Sequence, residues 1–172
     1  MKILVTYNLP RLPFENLPSD WEITFPLNEQ MSKEEILRLL PEYDVLLSIF
    51  HSHDLVDKEI IDAGSKLKLI SNYGVGYNNI DVQYAREKGI AVTNTPHSVN
   101  NPTAELAMAL MLNAARRVSE CNLRIRKEKE SMWGTMKNLG FSLDGKTLGI
   151  IGMGNIGRNV ARKAEAFGMN VI

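Results

Sequence analysis

The sequence predicts an α/β chain: a doubly wound parallel sheet, then a long linking helix, then the first β-α-β unit of a second sheet. Three observations predict it. Short apolar runs of strand length recur with little polar alternation, as expected of strands covered on both faces. Helix start and stop signals lie between them. Near the end, an apolar run opens into a glycine-spaced turn, TLGIIGMGNIG, at residues 147–157.

The first strand is ILVTY (3–7) and the second EITF (22–25). SKEEILRLLP follows, where Ser32 and Glu35 form a capping box and Pro41 ends the helix. DVLLSI (44–49) is the third strand. The next helix, DLVDKEIIDAG, takes Asp54 as its cap and Gly64 as its stop. LKLIS (67–71) is the fourth strand and IAVTN (90–94) the fifth. Between them DVQYAREKG runs from Asp81 to Gly89, a residue free to take the left-handed conformation past a helix end. Right-handed crossovers then give a five-stranded parallel sheet in the order 2-1-3-4-5, with helices on both faces. Residues 1–98 form the first domain.

The character changes after that. NNPTAELAMALMLNAARRVSECNLRIRKEKE predicts one long helix with Asn101 as cap and Pro102 at the first helical position, where its missing N–H costs nothing. Leu106, Leu110, Ala114, Val118, Leu123 and Ile125 carry an apolar stripe along it. A helix of that length suits an element that links two bodies. MWGTMKNLGFSLDG is a loop, KTLGIIG a strand, NIGRNVARKAEAFG a helix and MNVI the start of a further strand. Residues 99–172 read as an incomplete second domain.

Composition narrows the function. Of 172 residues, 44% are hydrophobic and 23% charged, the balance of a soluble globular protein. Twenty basic and twenty acidic side chains cancel, so no overall field favours nucleic acid or an acidic membrane. RIRKEKE (124–130) mixes signs at helical spacing, as a solvated helix face does. Cys121 is alone, which excludes an internal disulfide and suits a reducing cytoplasm. The opening MKILVTYNLP is too short an apolar run for a signal peptide, and no run approaches a membrane span. No cluster of residues has metal-ligand spacing.

Gly152, Gly154 and Gly157 are spaced G-x-G-x-x-G, after a strand and at the mouth of a helix. In that context each glycine has a reason. The first allows the tight turn, the second lets backbone approach a pyrophosphate, and the third lets helix and strand pack closely. The helix N-terminus offers free N–H groups to the anion. The residue that reads the ribose 2′ position belongs about 20 residues beyond the first glycine, at or just past Ile172, so the choice between NAD and NADP stays open.

NYGVGYNNIDV (72–82), GIAVTNTP (89–96), TAELAMALML (103–112) and GKTLGIIGMGNIGRNVARKAEAFGMNVI (145–172) together resemble the D-isomer-specific 2-hydroxyacid dehydrogenases. The similarity runs through the whole chain in order. It is closest in kind to glyoxylate/hydroxypyruvate reductases or phosphoglycerate dehydrogenases. The resemblance implies a flavodoxin-like substrate domain followed by a Rossmann domain, with the active site in the cleft between them. It implies that the backbone N–H groups of Val75 and Gly76 hold the substrate carboxylate, and that Phe50 is an apolar substrate-loop residue. Thr103 matches a position near the nicotinamide, and Asn155 and Ile156 match residues whose backbone meets the pyrophosphate. The implied partners are a small 2-hydroxy or 2-oxo acid and a second copy of the chain.

The resemblance also implies a catalytic arginine, glutamate and histidine, and none of them falls within 1–172. His51 and His53 sit in a polar loop and read as solvent-exposed, whereas His97, after NTP, reads as a packing or capping residue. Arg116 and Arg117 read as surface or interdomain contacts. Three readings follow: a portion of an NAD(P)-dependent oxidoreductase, itself inactive; a non-catalytic truncated homologue that binds a nucleotide or a partner; or a small-ligand module carrying an interaction arm. Two lone parallel strands cannot cover both their faces, which favours the first.

Overall fold

The computed structural model describes residues 1–49, 55–128 and 134–172. The chain divides into two compact units, Met1–His97 and Ser98–Ile172.

The first unit is a parallel sheet of five strands, β1 (Lys2–Val5), β2 (Glu22–Thr24), β3 (Val45–Ile49), β4 (Leu69–Tyr73) and β5 (Ala91–Thr93), in the order β2-β1-β3-β4-β5. Three helices lie between them: α1 (Lys33–Leu39), α2 (Lys58–Ala63) and α3 (Val82–Glu87). Register aligns Leu4, Leu46 and Ile70 in one row, each fully buried. Ile36 of α1, Ile60 and Ile61 of α2 and Ala85 of α3 cover that row. Burial of each large aliphatic side chain there contributes about 1.5–3 kcal/mol.

The opposite face differs from the expected double layer. Ile3, Val5 and Val45 are covered by the β1–β2 connection, through Leu9, Phe14, Leu17 and Trp21, with a single 3-10 turn at Leu12–Phe14 and no α-helix. Pro10, Pro13 and Pro18 in that connection withhold N–H donors and explain why no helix forms. An apolar trough of about 530 Å³ remains, reaching from Met1 and Trp21 to Leu69 and Tyr73.

Ser32 caps α1 as expected, accepting from the Glu35 N–H at 3.2 Å, and Gly89 takes a φ of 74° after α3. Asp54 lies outside the described residues, and the cap of α2 is instead Asp57, which accepts from the Ile60 N–H at 3.1 Å. The reason is local: Val56 forms a parallel bridge to Ile80, which keeps the chain extended until Asp57.

The second unit begins with α4 (Asn100–Arg116), whose N-cap is Val99, not Asn101. Asn101 lies in the first turn, donating to Glu105 at 2.9 Å and accepting from Lys163 at 2.6 Å. Pro102 is therefore the third helical residue, still among the positions whose N–H has no partner inside the helix. The single long helix is also corrected: it breaks at Arg117, which is left-handed at φ 57°, and resumes as α5 (Val118–Glu128). Asn113 explains the restart, because its side-chain oxygen accepts from both the N–H (2.8 Å) and the hydroxyl (2.9 Å) of Ser119. Met108 and Ala115 face the core, while Leu106, Leu110, Val118, Leu123 and Ile125 of the expected stripe are more than half exposed.

The strand β6 (Thr147–Leu148), the helix α6 (Asn155–Ala166) and the strand β7 (Asn170–Val171) complete the unit as one parallel β-α-β piece. Pairing continues past β6, with the Ile150 N–H donating to the Ile172 carbonyl at 2.8 Å. Ala164, Met169, Leu148 and Val160 close a small core with α4.

Candidate functional site

In a parallel sheet the carboxyl edge collects the loops, and here it carries a polar cluster. The row Leu46–Ile70 is followed, two residues on, by the register pair Ser48 and Asn72, both buried. Asn72 accepts from the Ser48 hydroxyl and from the Asn79 amide, each at 3.3 Å, and donates to the Gly76 carbonyl at 2.6 Å. Asn79 also donates to the Ile49 carbonyl at 3.4 Å. Among the described residues, its own side-chain oxygen is buried without a partner.

These bonds shape the loop that holds Val75 and Gly76. The Gly74 carbonyl accepts from the Thr95 N–H (2.9 Å), that of Val75 from the Asn94 amide (2.8 Å), that of Gly76 from Asn72, and that of Tyr77 from the Ile80 N–H (3.0 Å). Four successive carbonyls are thus engaged by the chain. Among the described residues, no acceptor takes the N–H of Val75 or Gly76, and both residues are exposed. A loop with its carbonyls held and its N–H groups free suits an anion. Phe50, His51 and His53 lie outside the described residues.

The second cluster is the glycine turn. Gly152 has a φ of 101°, a conformation that a side chain disfavours. A β-carbon on Gly157 would collide with the Gly152 carbonyl oxygen, so α6 can start against the strand only with glycine there. A β-carbon on Gly154 would meet nothing within 4 Å. No side chain caps α6, and no acidic residue sits in its first turn. The N–H groups of Asn155, Ile156 and Gly157 open that helix beside the free space at Gly154, a position that an anionic group fits on steric and dipole grounds. Arg158 folds back over the turn, donating to the Met153 carbonyl at 3.1 Å and to the Asn155 side chain at 2.7 Å.

Thr103 lies exposed in the first turns of α4, its N–H donating to the Val99 carbonyl at 3.0 Å. His97 is exposed and α4 has no side-chain cap, so neither the packing nor the capping role expected of it is found. Arg117 pairs with Glu120 at the surface. Among the described residues, no group of His, Cys, Asp and Glu is placed to hold a metal ion, and no helix is long and apolar enough to cross a membrane. Asn72, Asn79, Asn94 and Arg158 lie inside the quoted motifs, yet motif reading gives them no role. A faint signal exists in the asparagines that end the fourth and fifth apolar runs.

The family model described as D-isomer specific 2-hydroxyacid dehydrogenase, catalytic domain, matches residues 4–168. A 2-hydroxyacid dehydrogenase by name, from Staphylococcus saprophyticus, is 45% identical over 142 residues, 83% of this chain and 44% of that protein. Among solved structures, the TT0316 protein of Thermus thermophilus matches with a TM-score of 0.86 at 38% identity, over 99% of this chain and 55% of the other. A glyoxylate reductase from Paecilomyes thermophila gives 0.80 at 36%, over 99% and 54%. The D-lactate dehydrogenase of Aquifex aeolicus, solved with NAD and lactic acid, gives 0.78 at 26%, over 99% and 50%. An acyclic imino acid reductase solved with NADPH and D-Arg gives 0.80 at 28%, over 98% and 54%. The chain spans about half the length of the curated relatives it matches. It belongs to the D-isomer specific 2-hydroxyacid dehydrogenase family.

Proposed function

We propose that this chain carries the substrate-carboxylate site and the cofactor-pyrophosphate site of an NAD(P)-dependent dehydrogenase of small D-2-hydroxy acids. In this reading 1–98 is the flavodoxin-like substrate domain and 99–172 the start of a Rossmann domain. The observation that carries it is the Gly74–Tyr77 loop, whose carbonyls are all engaged while the Val75 and Gly76 N–H groups have no acceptor among the described residues. The reaction takes up a hydride and a proton at the C2 carbonyl of a 2-oxo acid, or releases them from the 2-hydroxy acid.

The nicotinamide cofactor, NAD or NADP, supplies or takes the hydride when bound. Val75 and Gly76 grip the carboxylate and so fix which face of C2 is presented; family resemblance assigns Phe50, outside the described residues, to the substrate loop, and Thr103 borders the nicotinamide side. Gly152, Gly154 and Gly157 bring backbone to the pyrophosphate, with the first-turn N–H groups of Asn155 and Ile156 donating to it. No residue of 1–172 is assigned the catalytic arginine, glutamate or histidine, so the chain alone is inactive. The exposed Leu106, Leu110 and Val118 offer the surface for a homodimer, and the location is cytoplasmic.

The test is an NMR titration of the 172-residue chain with glycolate and, separately, with NAD. Glycolate moves the amide signals of Val75 and Gly76, and NAD those of Gly154 to Gly157. Signals that stay fixed to millimolar ligand at both places overturn the reading.

A further inference from the structure

Asn72 stands where the alternation of β4 calls for an apolar side chain. Ile70 and Asn72 point to the same face and are 0% and 1% exposed. A buried amide is costly unless it is hydrogen-bonded, so its placement needs a reason. Its orientation is determined: the Gly76 carbonyl can only accept, so the Asn72 NH₂ must face it and the oxygen must face Ser48 and Asn79. We infer that Asn72 is a positioning residue, which holds the Gly76 carbonyl inward, fixes the Gly76–Tyr77 peptide and thereby anchors the loop that presents the Val75 and Gly76 N–H groups to an anion. This rests on the proposed role of those two N–H groups as the carboxylate site.

Two features separate this from ordinary core packing. The contact to Gly76, at 2.6 Å, is the shortest that Asn72 makes, whereas the two bonds to its oxygen are 3.3 Å. The neighbouring Val75 carbonyl is held by another asparagine, Asn94, from β5's end. The loop's peptides are therefore held from two strands, by Asn72 of β4 and by Asn94 just past β5.

The experiment is glycolate titration of the 172-residue chain by NMR, in wild type, Asn72→Leu, Asn72→Ser and Ser48→Ala. Leucine fits the apolar row but cannot donate, and serine is too short to reach Gly76. Both should weaken glycolate binding about tenfold, the scale of one lost hydrogen bond, and move the Gly76 carbonyl carbon signal while α1–α3 signals stay fixed. Ser48→Ala removes a bond to the Asn72 oxygen but leaves the Gly76 contact, and should keep its dissociation constant near the wild-type value. Equal losses in Ser48→Ala and the Asn72 variants, or unchanged affinity in the latter, overturn the inference while the carboxylate reading stands. If glycolate moves neither the Val75 nor the Gly76 signal in wild type, the carboxylate reading fails and the inference fails with it.

Discussion

Gly157 sits directly against Gly152: a β-carbon on the former would strike the carbonyl oxygen of the latter. The three glycines of one motif therefore answer to different constraints, of which only two come from the chain itself. Gly157→Ala should destabilise the second unit by about 1–3 kcal/mol through overpacking, and Gly152→Ala by about 1–2 kcal/mol through its left-handed backbone. Gly154→Val should leave the melting curve nearly unchanged and abolish the NAD-induced amide shifts, while Met153→Ala keeps them. A Gly154→Val chain that still binds NAD would mean the free space beside the turn serves no ligand.

Asp57 links a helix cap to an ion pair. Burial opposes its ionisation, but the Lys33 ammonium at 2.7 Å and the Ile60 N–H outweigh that, and its pKa is lowered. Its contribution is then present above the ordinary aspartate value of about 3.9 and is lost as pH falls through the lower folded value. Asp57→Asn, which keeps the cap acceptor, should flatten that acid limb, lowering stability more at pH 7 than at pH 3. Asp57→Ala should cost about 1 kcal/mol at both ends of the range. Chemical denaturation between pH 3 and pH 7 measures both.

At Arg117 the usual order of alanine over glycine in helices should reverse. A left-handed non-glycine residue carries a cost of about 1–2 kcal/mol, and the exposed pair with Glu120 offsets at most about 1 kcal/mol of it. Arg117→Gly should match or exceed wild type in thermal midpoint, with Arg117→Ala below both. The opposite ranking would mean α4 and α5 are continuous in solution.

The 172-residue chain should not oxidise NADH with glyoxylate or hydroxypyruvate. On the proposed reading no proton donor lies in 1–172, and lacking that group alone would cost about two to four orders of magnitude. Steady turnover by a chain of verified mass would send attention back to the three histidines.

The strand order was legible because every crossover joins parallel apolar runs of matching length, and handedness leaves few arrangements. The glycine turn was legible because its spacing reports on backbone directly. The Arg117 break was not, since arginine is a good helix former and the cap for α5 is Asn113, a residue of the helix before it. Asp54 and Asp57 are equally good caps by composition; only the bridge of Val56 to Ile80, from 24 residues away, separates them. The second face of the sheet was misread because strand composition reports burial and not what does the burying. The Asn72 network stayed hidden for a related reason: one polar residue in an apolar run reads as noise until Gly76 is seen above it.

The Gly74–Tyr77 loop also decides how recognition responds to its surroundings. On the proposed reading its attraction for an anion resides in peptide dipoles, and an amide N–H does not ionise at any pH a folded chain survives. Affinity measured at this loop should follow the ligand's own protonation, with no step contributed by the loop's own N–H groups. Lacking a formal charge, the loop should also lose less to added salt than a lysine or arginine site would. Carboxylate preference built this way is a property of shape, and it is altered by moving a carbonyl rather than by changing a charge.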